Sequence, residues 1–79
     1  MELAIYSPEK TIYNGEANGV TVPGAKGLFE ILDFHAPIIS SLQSGMLTYK
    51  TPQGEFSIEV AGGFVNAANN KVSVCIEEM

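Results

Sequence analysis

Apolar residues in this chain recur at every second position and nowhere at helical spacing, and that period decides the fold class. Phe56, Ile58 and Val60 alternate with Ser57 and Glu59. Val72, Val74 and Ile76 alternate with Ser73, Cys75 and Glu77. Leu3 with Ile5, Val20 with Val22, Phe29 with Ile31 and Leu47 with Tyr49 repeat the pattern over shorter spans. Successive side chains of a strand point to opposite faces, so this period buries one face and wets the other. The predicted class is all-β, a two-sheet β-sandwich of about eight to ten short strands.

Turn residues divide the runs. Ser7-Pro8-Glu9, Gln43-Ser44-Gly45 and Thr51-Pro52-Gln53-Gly54 read as turns, the last with Pro in the pre-set φ position. Asn14-Gly15 carries the strongest short hairpin signal and predicts the end of a strand at Tyr13. Asn18-Gly19 reads as a bulge, Gly62-Gly63 as a bulge or bend, and Asn69-Asn70 as a tight turn with positive φ. The predicted inward set is Ile5, Ile12, Val20, Val22, Phe29, Ile31 and Leu47, continued by Phe56, Ile58, Val60, Phe64, Val72 and Val74.

The bulk numbers narrow the function. The 79 residues are enough for one small domain, here 1–79, and 46% hydrophobic content with 16% charged suits a compact fold. Four lysines against nine acids give −5, with no arginine, which argues against nucleic acid and against a bidentate phosphate clamp. Met1 to Tyr6 has no basic segment and is not expected to be a targeting peptide. No run approaches the ~20 apolar residues of a membrane helix.

No catalytic constellation is visible. His35 is the only histidine and Cys75 the only cysteine, so neither a nucleophile–base pair nor a soft metal site can be assembled from them. Gly24-Ala25-Lys26-Gly27 is not a P-loop, because its lysine precedes the second glycine. No cofactor and no metal are expected. A domain of this kind works by presenting a surface. Two classes fit: a subunit of an assembly, or a stand-alone β-sandwich binding module for a peptide or small ligand.

Three stretches carry a resemblance. Val20 to Ser40 (VTVPGAKGLFEILDFHAPIIS) resembles the pattern V-T-V-P-G-x-x-G-x-F-G-I-L-x-x-H-A-P of the epsilon subunit of F-type ATP synthases, in its N-terminal β-sandwich domain. Val60 to Val74 (VAGGFVNAANNKVSV) resembles its G-G-F and N-K-V region, and Ile12 to Glu16 (IYNGE) adds a weaker match. Together they span nearly the whole chain in order.

The resemblance implies a non-catalytic central-stalk subunit, which links the gamma subunit to the membrane rotor ring during proton- or sodium-driven ATP synthesis. It implies a peripheral location on the cytoplasmic side of the bacterial inner membrane, and a monomer when isolated. By position, Ser7, His35, Ala36, Pro37, Ile38 and Ser40 match the gamma-facing region. Ala25, Lys26, Gly27 and Leu28 match the ring-facing loop. Leu28, Glu30 and Asp33-Phe34 depart from the acidic or polar residue, Gly and Pro-Gly common there. The chain stops near where a C-terminal helical pair begins in many relatives, so either a naturally short form or a truncated one is the expectation.

Overall fold

One long strand, Gly54–Ala68, organises the fold by belonging to two sheets in succession. In a computed structural model that describes residues 1–78, the strands are β1 (Glu2–Tyr6), β2 (Thr11–Glu16), β3 (Gly19–Gly24) and β4 (Gly27–Leu32). They continue as β5 (Ile38–Leu42), β6 (Gly45–Thr51), β7 (Gly54–Ala68) and β8 (Lys71–Glu78), with no helix among the described residues. Met79, which the register of the last strand would include, lies outside them.

The first half of β7, Gly54 to Val60, pairs with β6; β6 pairs with β3, and β3 with β4. The second half pairs with β5 on one edge and β8 on the other. β8 then pairs in parallel with β1, and β1 antiparallel with β2. One hydrogen-bonded network therefore folds into two layers, β4-β3-β6-β7 and β2-β1-β8-β7-β5, with β7 shared. Between them, Leu3, Ile5, Val20, Val22, Ile31, Leu47, Val60, Val65, Val74 and Ile76 are almost wholly removed from solvent.

Most of the predicted inward set lies in this core, with Ile12, Phe29 and Ile58 half-buried against it. Two members do not. Phe64 is 52% exposed. The register slips between Val60 and Gly62, so Ala61 has no partner on β8. Gly63, at φ +140°, then stands opposite Ile76, and Phe64 opposite Cys75. A one-residue slip sends every later side chain to the other face, so Val65 and Ala67 point inward and Phe64 outward. Phe56 is 45% exposed for a different reason. Its phase is inward, but the described part of β8 reaches only as far as Val60, and among the described residues no strand flanks β7 on that edge near Phe56. It leans on Tyr49 at 5.5 Å between ring centroids, and Tyr49 on Tyr13 at 5.1 Å, so the trio caps an open end.

Two turn assignments also change. Asn14-Gly15 lies inside β2, opposite Ala4 and Leu3. The reversal occurs at Ser7 to Lys10, closed by a bond from the Ser7 N–H to the Lys10 carbonyl at 2.8 Å. Asn18-Gly19 carries no bulge; the register irregularities fall at Ile5/Tyr6 and Val60/Gly62. Asn69 and Asn70 do take positive φ, 53° and 58°, as a two-residue hairpin loop requires.

Candidate docking surface

The β3–β4 hairpin is registered by Val22 against Phe29, Pro23 against Leu28 and Gly24 against Gly27. Gly24 has a packing reason: a Cβ there would lie 2.6 Å from the Phe29 ring. The ring thus rests on the hairpin backbone and holds the tip upright. Ala25 and Lys26 are exposed at the tip, and Leu28 is 69% exposed beside them.

The chain then reaches β5 through a loop fixed by short-range bonds. The Phe34 N–H donates to Asn70 Oδ1 at 2.8 Å, and the His35 N–H to the Leu32 carbonyl at 3.2 Å. His35 Nδ1 lies 2.7 Å from the Ala36 carbonyl, which makes Nδ1 the protonated nitrogen. Behind the loop, the Met1 ammonium donates to Asp33 Oδ1 at 2.5 Å, Glu16 Oε1 at 3.0 Å and the Ala17 carbonyl at 3.1 Å. The hydrogen bond to Asp33 is the main reason its pKa is raised, with Glu16 adding to it and burial opposing.

The tip and the loop's continuation meet. Gly24 to Phe29 and Ile38 to Ser41 line one open groove of about 520 Å³. The residues expected to face the ring therefore lie beside Ile38 and Ser40, which are expected to face gamma. Those two are half-buried, while Ile39 between them is 76% exposed. His35, Ala36 and Pro37 are exposed at the loop.

Ser7 is not part of this cluster. It is buried, and its hydroxyl accepts from the Lys10 N–H at 3.3 Å within its own turn. The rows Ile38-Ala67-Val72-Leu3 and Ser41-Phe64-Cys75-Tyr6 run across four strands. Ser7 follows Tyr6, so it lies beyond the second row while His35 precedes the first. The rows are three residues apart, roughly 10 Å along the strands, and span three strand spacings, roughly 14 Å, so Ser7 and His35 lie farther apart than either distance.

Sequence reasoning missed the exposed face of that layer. Ser41, Phe64, Cys75 and Tyr6 form one outward row, and Ile39, Asn66, Ser73 and Ala4 the next. None of the eight is charged, in a chain of net charge −5. The outward phase of β1 and β8 was readable; the β7 contribution was hidden by the bulge. No group of His, Cys, Asp or Glu suited to a metal occurs among the described residues.

Known proteins of similar sequence or shape carry related descriptions. A chain from Chlorobaculum tepidum described as "ATP synthase epsilon chain" is 37% identical over 78 residues, covering 98% of this chain and 89% of that one. One from Leptospira borgpetersenii with the same description is 38% identical over 74 residues, and there the match spans only 58% of the relative's length. Among solved structures, a chain of the Tetrahymena thermophila mitochondrial ATP synthase central stalk and c-ring superposes with a TM-score of 0.85 at 18% identity, over 99% of this chain and 63% of that one. A chain of the Euglena gracilis mitochondrial ATP synthase does so with a TM-score of 0.88 at 20% identity, over 96% and 49%. The sequence model of the ATP synthase delta/epsilon chain β-sandwich domain matches residues 1–79, and the chain belongs to that family.

Proposed function

We propose that this chain is a non-catalytic rotor subunit that couples the gamma subunit to the membrane ring of an F-type ATP synthase. The observation that supports this reading most is the meeting of the hairpin tip and β5 around one groove, with Leu28 and Ile39 exposed on it. Large exposed apolar side chains side by side mark an interface more often than a free surface. On this reading Ala25, Lys26, Gly27 and Leu28 meet the ring, and His35 to Ser40 meet gamma. Ser7, in the separate Pro8 turn, contributes by shaping that turn, since its hydroxyl is already engaged. The subunit sits peripherally on the cytoplasmic side of the membrane; no helix among the described residues is long and apolar enough to cross it.

The test is reconstitution of a synthase stripped of its own epsilon chain. Adding this chain should restore proton or sodium pumping per ATP hydrolysed. Leu28→Asp should lower that ratio while leaving the fold intact, because a carboxylate at an apolar contact loses solvation. Pumping that does not respond to the chain refutes the reading.

A further inference from the structure

The groove has an unfinished edge. The last bridge between β3 and β5 pairs Gly24 with Leu42. Two bonds flank it: the Gln43 N–H to the Pro23 carbonyl at 2.9 Å, and the Ala25 N–H to the Ser41 carbonyl at 3.1 Å. Had β3 run on, its next residues would have faced Ser41, Ser40 and Ile39 in turn. The hairpin instead turns at Ala25-Lys26, and β5 continues past it with no strand on that side among the described residues.

The bonding phase of that edge follows. The Ser41 carbonyl points at the hairpin, so Ile39, two residues away, aims both its N–H and its C=O in the same direction. Ile38, Ser40 and Leu42 bond to β7 instead. Ile39 thus offers an unpaired donor and acceptor to the groove, flanked by the exposed side chains of Leu28 and Ile39 itself. Lys26 is the one charged residue of the lining, and it makes no ion pair among the described residues.

We propose that this groove takes an extended peptide segment of a protein partner, which continues the line of β3 as an added strand on β5. The segment carries an apolar side chain against Leu28 and Ile39 and a carboxylate towards Lys26. Main-chain bonds to Ile39 supply the register, and the two side-chain contacts the selectivity. At about 3.3 Å per residue, three residues of strand match the open edge from Ile38 to Ser40. The inference rests on the reading that this end of the domain faces its partners in the synthase.

The experiment is amide hydrogen exchange on the chain alone and bound to the purified gamma subunit with its detergent-solubilised ring. The Ile39 amide should exchange freely in the chain alone and slow about a hundredfold or more in the complex. Those of Ile38 and Ser40 should be protected in both. A complex that forms while Ile39 exchange stays unchanged overturns the added strand and leaves the coupling function standing. A wild-type chain that binds neither partner overturns both. Two variants give a second measurement. Ile39→Pro removes the N–H on an edge that tolerates proline, whereas Ile39→Thr keeps it and shortens the side chain. Ile39→Pro should bind about tenfold more weakly than Ile39→Thr, with similar melting. Equal binding by the two overturns the proposal. Should Ile39→Pro fail to fold, the exchange result on the wild type decides.

Discussion

Gly63→Ala tests the feature that most reshapes the fold. A Cβ at Gly63 would lie 2.1 Å from the Cys75 carbonyl oxygen and 2.9 Å from the Ile76 Cα. Both are backbone atoms of β8, and β8 is held on its far side by β1, so neither can withdraw cheaply. Two costs add. Holding a non-glycine residue at φ +140° costs about 1–3 kcal/mol. Forcing the strands apart resembles overpacking, about 1–3 kcal/mol more. The sum, about 2–6 kcal/mol, is a large part of the ~4–12 kcal/mol expected of a domain this size. Melting should fall by at least about 10 °C. Two controls separate the terms. Gly54 has φ +136° but its Cβ would meet only a Phe56 ring atom at 4.0 Å, so Gly54→Ala reports backbone strain alone. Gly62 has an ordinary φ and its Cβ would sit 3.6 Å from the Leu42 carbonyl, an ordinary contact. Urea unfolding followed by circular dichroism should therefore rank the losses Gly63→Ala, then Gly54→Ala, then Gly62→Ala. A Gly63→Ala loss within about 1 kcal/mol of Gly54→Ala would mean the close approach to β8, and with it the bulge, is absent.

Three further outcomes follow from the same geometry. Phe64→Ala should cost under about 1 kcal/mol, whereas Leu47→Ala, with no exposure, should cost about 2–5 kcal/mol; the same unfolding assay compares them, and a reversed order would return Phe64 to the core. The Met1 ammonium has a folded pKa raised above the ordinary 8.0, chiefly by Asp33. Its stabilisation is complete below pH 8 and is lost as pH rises through the raised value. Melting followed from pH 7 to 10 should fall, and Asp33→Asn should flatten that fall. Tyr49, raised above 10.0 mainly by burial, acts in the same sense at higher pH, so the earlier part of the decline belongs to Met1. Ser7→Ala removes the acceptor for the Glu9 and Lys10 N–H groups and should cost about 0.5–1.5 kcal/mol, read by thermal melting.

The class of fold was legible because the period of two survives in every strand that carries the core. What the sequence hides is phase. Gly62-Gly63 announces an irregularity, but not which way the strand resumes; that depends on whether one residue or two face Glu77, a pairing made across the sheet. Phe64 was misassigned for that reason alone. Phe56 was in phase, and its exposure depends on how far β8 extends, which no local pattern encodes. Asn14-Gly15 shows a strong turn signal overruled by pairing: β2 runs on alongside β1, and the Tyr13 hydroxyl lies 3.1 Å from where a Gly15 Cβ would be. Of the expected contact residues, the hairpin tip and the segment His35 to Ser40 follow from a contiguous stretch, and the meeting of the tip with Ile38 and Ser40 at one groove was not foreseeable. Ser7 was distant in sequence and proved distant in space. Ile39 gains its interest from backbone direction, which a sequence does not display.

The parallel pairing of β1 with β8 sets a time order on folding. Leu3 must find Val72, and Ile5 must find Val74, across almost the whole chain. Such a loop is closed late, since its entropy is lost before any distant contact repays it. Hairpins such as β3–β4 and β7–β8 can form as soon as their residues exist. During synthesis, the first strand therefore waits with its apolar face open until the last one has left the ribosome. β2, whose only partner among the described residues is β1, waits with it. The first strands of the sandwich are the last to be secured, and over that interval their protection from stray strands must come from outside.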